Sequence, residues 1–297
     1  MIILDVFSLL QAGFIQRAFI ISIIIAVLSS ILSVFIVLKK ISLIGDGLSH
    51  TAFGGLALGY YLSVFPLWIA GITVVLGSIG INKALRSTKI SGDAAVAVFL
   101  QLGLAGGITL LSLARGFGIN LESLLFGSIL IVDVNQIITA AIVAAITLSI
   151  IFVFFKELVY ITFDETQARA AGIKTWVFDY MLSILSGVVV IIAIPIVGVL
   201  LISALLVLPA LISTQVTKSF RQTVILSPIV GLVTVIFGIL VSVIIDAAPG
   251  GTIVLTGLAI LGIVFLAKRI QGFLKNRETS TITSTQAPPK VNGKTSR

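Results

Sequence analysis

The 297-residue chain has no cysteine, a single histidine, two methionines and two tryptophans. Without cysteine there is no disulfide, no thiolate metal site and no thiol nucleophile. One histidine cannot supply the paired imidazoles of an H-E-x-x-H metalloprotease. Charge is scarce as well, at 10% of residues, against about 25% in soluble domains. With 58% hydrophobic residues the chain has more apolar surface than a water-soluble fold of this length can bury.

Long apolar runs are what the sequence does have. Residues 18–38 contain no charged side chain over 21 positions. At about 1.5 Å per residue such a helix crosses a hydrocarbon core of about 30 Å. It is a full span, with Arg17 before it and Lys39 and Lys40 after it, and not a short cleavable signal. Nine spans are predicted: 18–38, 43–62, 66–82, 92–114, 135–155, 176–194, 197–213, 223–245 and 252–267. The fold class is therefore all-α, a polytopic membrane protein. The sixth and seventh runs could also be one long element broken at Pro195.

The net charge of +8 would point to nucleic acid in a soluble protein, but here the basic residues cluster between spans. Nine spans place the N-terminus outside and the C-terminus in the cytoplasm, with 17 of the 19 basic residues inside and only Arg17 and Arg115 outside. Merging 176–213 would move Lys218, Arg221 and the basic tail outside. The nine-span reading satisfies the positive-inside rule. The transmembrane domain is assigned to 1–272. Residues 273–297 are polar and Ser/Thr-rich, with Pro288 and Pro289, and read as a disordered cytoplasmic tail. Gly293, Lys294 and Thr295 look like the end of a phosphate-binding loop, but position 288 is Pro where that loop needs Gly. No ATP site is assigned to the chain.

Asp46 and the lone His50 lie four residues apart inside an apolar run. An ionisable pair in hydrocarbon is costly and marks function. On a helix, i and i+4 share a face, so the two side chains can grip one ion. A carboxylate oxygen with an imidazole nitrogen suits a divalent cation such as zinc or manganese. The same pair could instead relay protons, or His50 could simply bond Asp46 and lock helices. Glycines 45, 47, 54, 55 and 59 surround the pair, a density that predicts an interrupted helix lining a polar cavity.

Residues 156–175 form the longest cytoplasmic connection between spans. There Asp164 and Glu165 open a short Ala-rich helix through Ala168 that Gly172 ends. Small residues on such a helix make a knob for a partner's cleft; a solvated loop is the plainer alternative.

The segment ISLIGDGLSHTAFGGLALG (41–59) closely resembles the second-helix signature of metal-ion ABC permeases, the membrane subunits of bacterial zinc and manganese importers. LESLLFGSIL (121–130), VGVLLISALLVLPALIS (197–213) and DAAPGGTIVL (246–255) resemble further motifs of that family, in its order. The resemblance implies a paired, commonly homodimeric, permease in the bacterial cell membrane. Its expected partners are a cytoplasmic ATP-binding subunit, which carries the ATP, and an external metal-binding protein. The metal is cargo, and no permanently bound cofactor and no enzymatic activity are expected of the chain. Asp46 and His50 match the metal-pathway positions, Asp246 falls near where metal enters, and the 156–175 helix becomes the coupling helix. Phe53-Gly54-Gly55 and LLFGSIL resemble the zinc branch more than the manganese one. The functional alternative is a secondary, gradient-driven metal transporter.

Overall fold

Backbone polar groups inside lipid find partners within a helix, so long apolar runs become helices. The computed structural model describes residues 12–86, 91–114, 121–127 and 132–285, which contain helices and no strand. In chain order these are α1 Gly13–Leu38, α2 Ile44–Tyr61, α3 Pro66–Leu85, α4 Gly92–Leu113, α5 Leu121–Phe126, α6 Val134–Val153, α7 Phe155–Phe163, α8 Glu165–Ala170, α9 Thr175–Val197, α10 Val199–Leu205, α11 Leu208–Val216, α12 Phe220–Ile245 and α13 Pro249–Thr285. Seven of them, α1, α3, α4, α6, α9, α12 and α13, are long and apolar enough to cross a membrane. The polytopic all-α architecture follows.

Each predicted apolar run corresponds to a helix or helix pair, with three corrections. First, the glycine-rich run 43–62 is not interrupted: α2 is continuous from Ile44 to Tyr61. Its glycines serve close packing instead. A Cβ on Gly55 would run into Ala70 and Thr73 of α3, and one on Gly54 would lie 2.9 Å from the carbonyl of Gly103 on α4. Second, Pro195 lies inside α9, which continues to Val197. The break comes at Gly198, whose φ of 86° and ψ of 162° suit only glycine. A second break at Leu206 and Val207 divides 197–213 into α10 and α11. Third, the connection 156–175 begins with a helix, α7, which buries Leu158 and Ile161.

The last helix runs on past residue 272 as far as Thr285. Residues 286–297 of the expected tail, with the Gly293-Lys294-Thr295 sequence, lie outside the described residues, as do Lys89 and Arg115.

The core is built on α1, α2 and α9. Helix α2 packs against α3, α4, α9 and α10, while α1 packs against α6, α9 and α12. Polar side chains stitch these contacts. Ser227 of α12 donates to the carbonyl of Ser30 at 2.8 Å, and Asn82 of α3 donates to Ser183 Oγ of α9 at 2.6 Å. At one end of the bundle Phe35, Phe155, Phe163 and Phe220 form a cluster of edge-to-face and tilted ring pairs that seats α7 against α1 and α12. The same end holds the ion pairs of Lys39, Arg86 and Arg169 and is called the basic end below.

Candidate metal pathway and coupling face

Helix α2 starts at the basic end, three residues beyond a tight turn. Lys40 adopts φ 59°, and Ile41 N–H closes back onto the Ile36 carbonyl at 3.1 Å. Asp46 is in the first turn of α2 and His50 one turn further on. The imidazole therefore lies about 9 Å along the helix from Ile44, roughly a third of the way through α2.

Successive residues turn by about 100° on a helix, which fixes what flanks the pair. Gly45 faces Ser203 and Leu206, where α10 ends, and Gly47 faces Val96 of α4 and Ile81 of α3. Asp46 and His50 project between those two directions. Gly103 is so close to α2 that a Cβ there would meet the His50 carbonyl. The pair is thus framed by a glycine crossing on one side and by the broken α10–α11 run on the other.

Burial separates the two side chains. His50 is 8% exposed, and its Nδ1 has no hydrogen-bond partner among the described residues. Asp46 is half-buried. A buried polar atom without a partner is costly and invites an explanation. An imidazole nitrogen lacking a protein partner, on the same helix face as a carboxylate, fits a passing divalent cation.

Asp246 does not join them. It is exposed at the end of α12, in a left-handed conformation with φ 51°, beside a turn closed by Ser242 Oγ donating to the Ala247 carbonyl at 2.6 Å. Among the described residues no group of three or more His, Asp or Glu side chains able to hold a metal comes together.

Three motifs far apart in sequence do meet. Gly127 after α5, Gly198 between α9 and α10, and Gly250 in α13 press backbone on backbone: Gly198 lies against Leu125 and Gly127, and Gly250 against Val197 and Phe126. A side chain at any of these positions would collide with main chain. This junction sits at the C-terminal end of α9, opposite the basic end. No single-sequence signal beyond the glycines themselves announces it.

The 156–175 segment is built as the sequence predicts at its ends. Asp164 caps α8, its side chain accepting from the Gln167 N–H at 2.9 Å. Gly172, with φ 85°, ends it: its N–H reaches the Arg169 carbonyl and that of Ile173 the Ala168 carbonyl, each at 3.0 Å. Glu165 pairs with Arg169 and accepts from Thr175 Oγ1 at 3.2 Å. Burial alone would raise the Glu165 carboxyl, but the Arg169 hydrogen bond, the charges of Lys39 and Arg169 and the Thr175 hydrogen bond outweigh it and hold it below the usual glutamate range. Ala168 points inward and is fully buried, so its side chain is not available to a partner. The exposed surface is Thr166, Gln167, Arg169, Ala170, Ala171 and Gly172.

One charged cluster at the basic end escaped the sequence reading. Asp179, on α9, pairs with Lys39 at the end of α1 and accepts from Arg86 at the end of α3 at 2.7 Å. The available signal was a lone acid near the start of an otherwise apolar span.

Comparison with known proteins places this architecture. The ABC 3 transport family profile matches residues 11–268. The chain is 30% identical over 275 residues to the manganese transport system membrane protein MntC of Listeria innocua, covering 93% of this chain and 98% of the relative. It is 34% identical over 266 residues to the manganese import system permease protein ScaB of Streptococcus gordonii, covering 89% and 95%. Among solved structures, PsaBC from Streptococcus pneumoniae in complex with Fab superposes with a TM-score of 0.79 at 30% identity, over 89% of this chain and 95% of that one.

Proposed function

This chain belongs to the ABC 3 transport family, and from that premise we propose that it carries divalent metal ions into a bacterial cell, driven by ATP hydrolysed on a separate cytoplasmic subunit. It is a multi-pass membrane permease, and its relatives are named as membrane and permease proteins rather than enzymes. The observation that carries the reading is the His50 Nδ1, buried without a partner, on the same face of α2 as the Asp46 carboxylate. Metal passes between that face, the α4 crossing and the α10–α11 break. Asp46 supplies a hard oxygen and His50 a borderline nitrogen, a donor set that divalent first-row cations share.

Manganese is the metal this reading favours, because the two relatives described above are named for it at about a third identity over most of their length. The Phe53-Gly54-Gly55 motif is the argument for zinc. Cellular content decides: loss of this chain lowers manganese on the first reading and zinc on the second.

The basic end faces the cytoplasm by the positive-inside rule. There α8 meets the ATP-binding subunit through its small exposed residues, Ala170, Ala171 and Gly172, with Asp164 and Glu165 holding the helix in shape. A second copy of the permease and an external metal-binding protein complete the assembly, and Asp246, exposed at the opposite end, lies on the side where metal is delivered. Binding and hydrolysis of ATP on that subunit move α8 and switch access to the pair between the two sides.

The test is metal uptake into proteoliposomes holding the permease with its ATPase and external binding protein. Asp46→Asn and His50→Ala both abolish uptake while the ATPase still co-purifies. ATP-independent uptake by the permease alone would favour a gradient-driven carrier.

A further inference from the structure

We infer that Asp179 is the positioning residue that transmits movement of α8 to the metal-bearing helix α2, through Lys39 and Arg86. This rests on the reading that α8 docks the ATPase.

Asp179 is the hub of the basic end. One carboxylate oxygen pairs with Lys39, the residue that terminates α1, and the other accepts from Arg86, the residue that terminates α3. Cations at helix C-termini complement the helix dipole, so both bases are well placed before they meet the acid. The Lys39 side chain is only 8% exposed and that of Asp179 19%, against 37% for Arg86. Arg86 also lies over the Tyr180 ring, 5.8 Å from its centroid, which fixes the guanidinium against α9 on a second contact.

The cluster reaches α8 by a short route. Asp179 follows Thr175 by four residues on α9, so the two side chains share a helix face, and Asp179 pairs with Lys39. Glu165 holds Arg169 within α8 and Thr175 Oγ1 at the start of α9, and Arg169 Nε donates to that same hydroxyl at 3.1 Å. Glu165, Thr175, Asp179 and Lys39 therefore join α8, α9 and α1 at one place.

The cluster also connects along the chain to the helix that carries Asp46 and His50. Lys39 is separated from α2 by four residues in a turn closed by backbone hydrogen bonds from Lys40, Ile41 and Ile44. A turn that tight carries displacement of Lys39 into the first turn of α2, where Asp46 sits. Arg86 ends α3, the helix that packs against the far side of α2 at Gly55 and Gly59. Both arms of the cluster thus grip elements that hold α2. Low-exposure ion pairs exchange between discrete arrangements and not by gradual stretching, because a half-separated buried charge is unfavourable.

The experiment uses the full complex in proteoliposomes and reads manganese taken up per ATP hydrolysed. Asp179→Asn keeps ATPase co-purification and basal hydrolysis, and lowers uptake per ATP by about tenfold, within the range of coupling changes seen along transmission routes. Asp179→Glu restores the ratio, which a purely structural acid would not require. Arg86→Gln, which keeps the more buried Lys39 pair, gives an intermediate loss and decides the matter if Asp179→Asn fails to assemble. A wild-type uptake-to-ATP ratio in Asp179→Asn, or in Arg86→Gln where the former does not assemble, overturns the inference. Failure of the underlying reading looks different: wild-type permease would then take up manganese with no ATPase present.

Discussion

His50 and Asp179 are ionisable residues placed in an apolar protein for different reasons, and their surroundings tell them apart. Asp179 has both carboxylate oxygens satisfied by cations, whereas His50 leaves a buried nitrogen without a partner. The first arrangement ties helices; the second leaves a donor atom for the metal proposed above. Neutral polar side chains do lighter work. Asn82 bonds Ser183 across α3 and α9, and interhelical bonds in membranes are worth about 0.6 kcal/mol on average and about 1.7 at most. Asn82→Ala is therefore expected to cost about 1 kcal/mol, read from unfolding of the detergent-solubilised permease in graded sodium dodecyl sulfate, with assembly preserved. Glu165 gives a pH prediction. Its carboxyl is held below the usual glutamate range, so its tie to Arg169 and Thr175 is complete above that range and is lost as pH falls through the lowered value. Hydrogen exchange across 164–175, corrected for intrinsic rates, should be flat from neutral pH down to the ordinary glutamate range and rise below it.

At the scale of elements, glycine is used in two ways that look alike in sequence. In α2 it allows close approach, as at Gly54 against Gly103; at Gly198 it allows a backbone turn that no other residue adopts easily. The glycines around Asp46 and His50 were expected to interrupt the helix. Each costs about 1 kcal/mol relative to alanine, but an unsatisfied backbone group in lipid costs several, so the helix stays whole and spends its glycines on packing. Gly103→Leu would drive a side chain into the His50 carbonyl and destabilise by about 1–3 kcal/mol as overpacking does, with lowered thermal stability as the readout. Helix α7 was missed because Lys156 and Glu157 made its start look like a loop, although Phe155, Leu158 and Ile161 recur at helical spacing. The ends of α8 were legible because capping is local: Asp164 and Gly172 carry their roles in their own chemistry. Ala170→Trp, on the exposed face of α8, should cut ATPase co-purification by about tenfold or more without altering permease expression; unchanged co-purification would remove α8 as the docking element.

Across the whole molecule, composition alone fixed the class, since nothing but a membrane accommodates apolar runs in this number. Asp46 and His50 drew attention for the same reason, because an acid and an imidazole stand out in an apolar run. The ion cluster did not, because Lys39 and Asp179 are 140 residues apart and Arg86 and Asp179 are 93 apart. Nor did the meeting of Gly127, Gly198 and Gly250, which only the folded chain brings together. Two distinct ends result: a glycine-packed junction where α9 finishes and a charged cluster where it begins, with Asp46 and His50 on α2 between them and nearer the cluster. The most direct test of the central claim is ATP-driven manganese uptake by the reconstituted complex carrying His50→Ala, beside the wild type. The account predicts that uptake falls by about 100-fold or more, since even changing the groups that orient a metal's ligands costs about 10–100-fold, while ATPase binding persists. Wild-type uptake in that variant would contradict it.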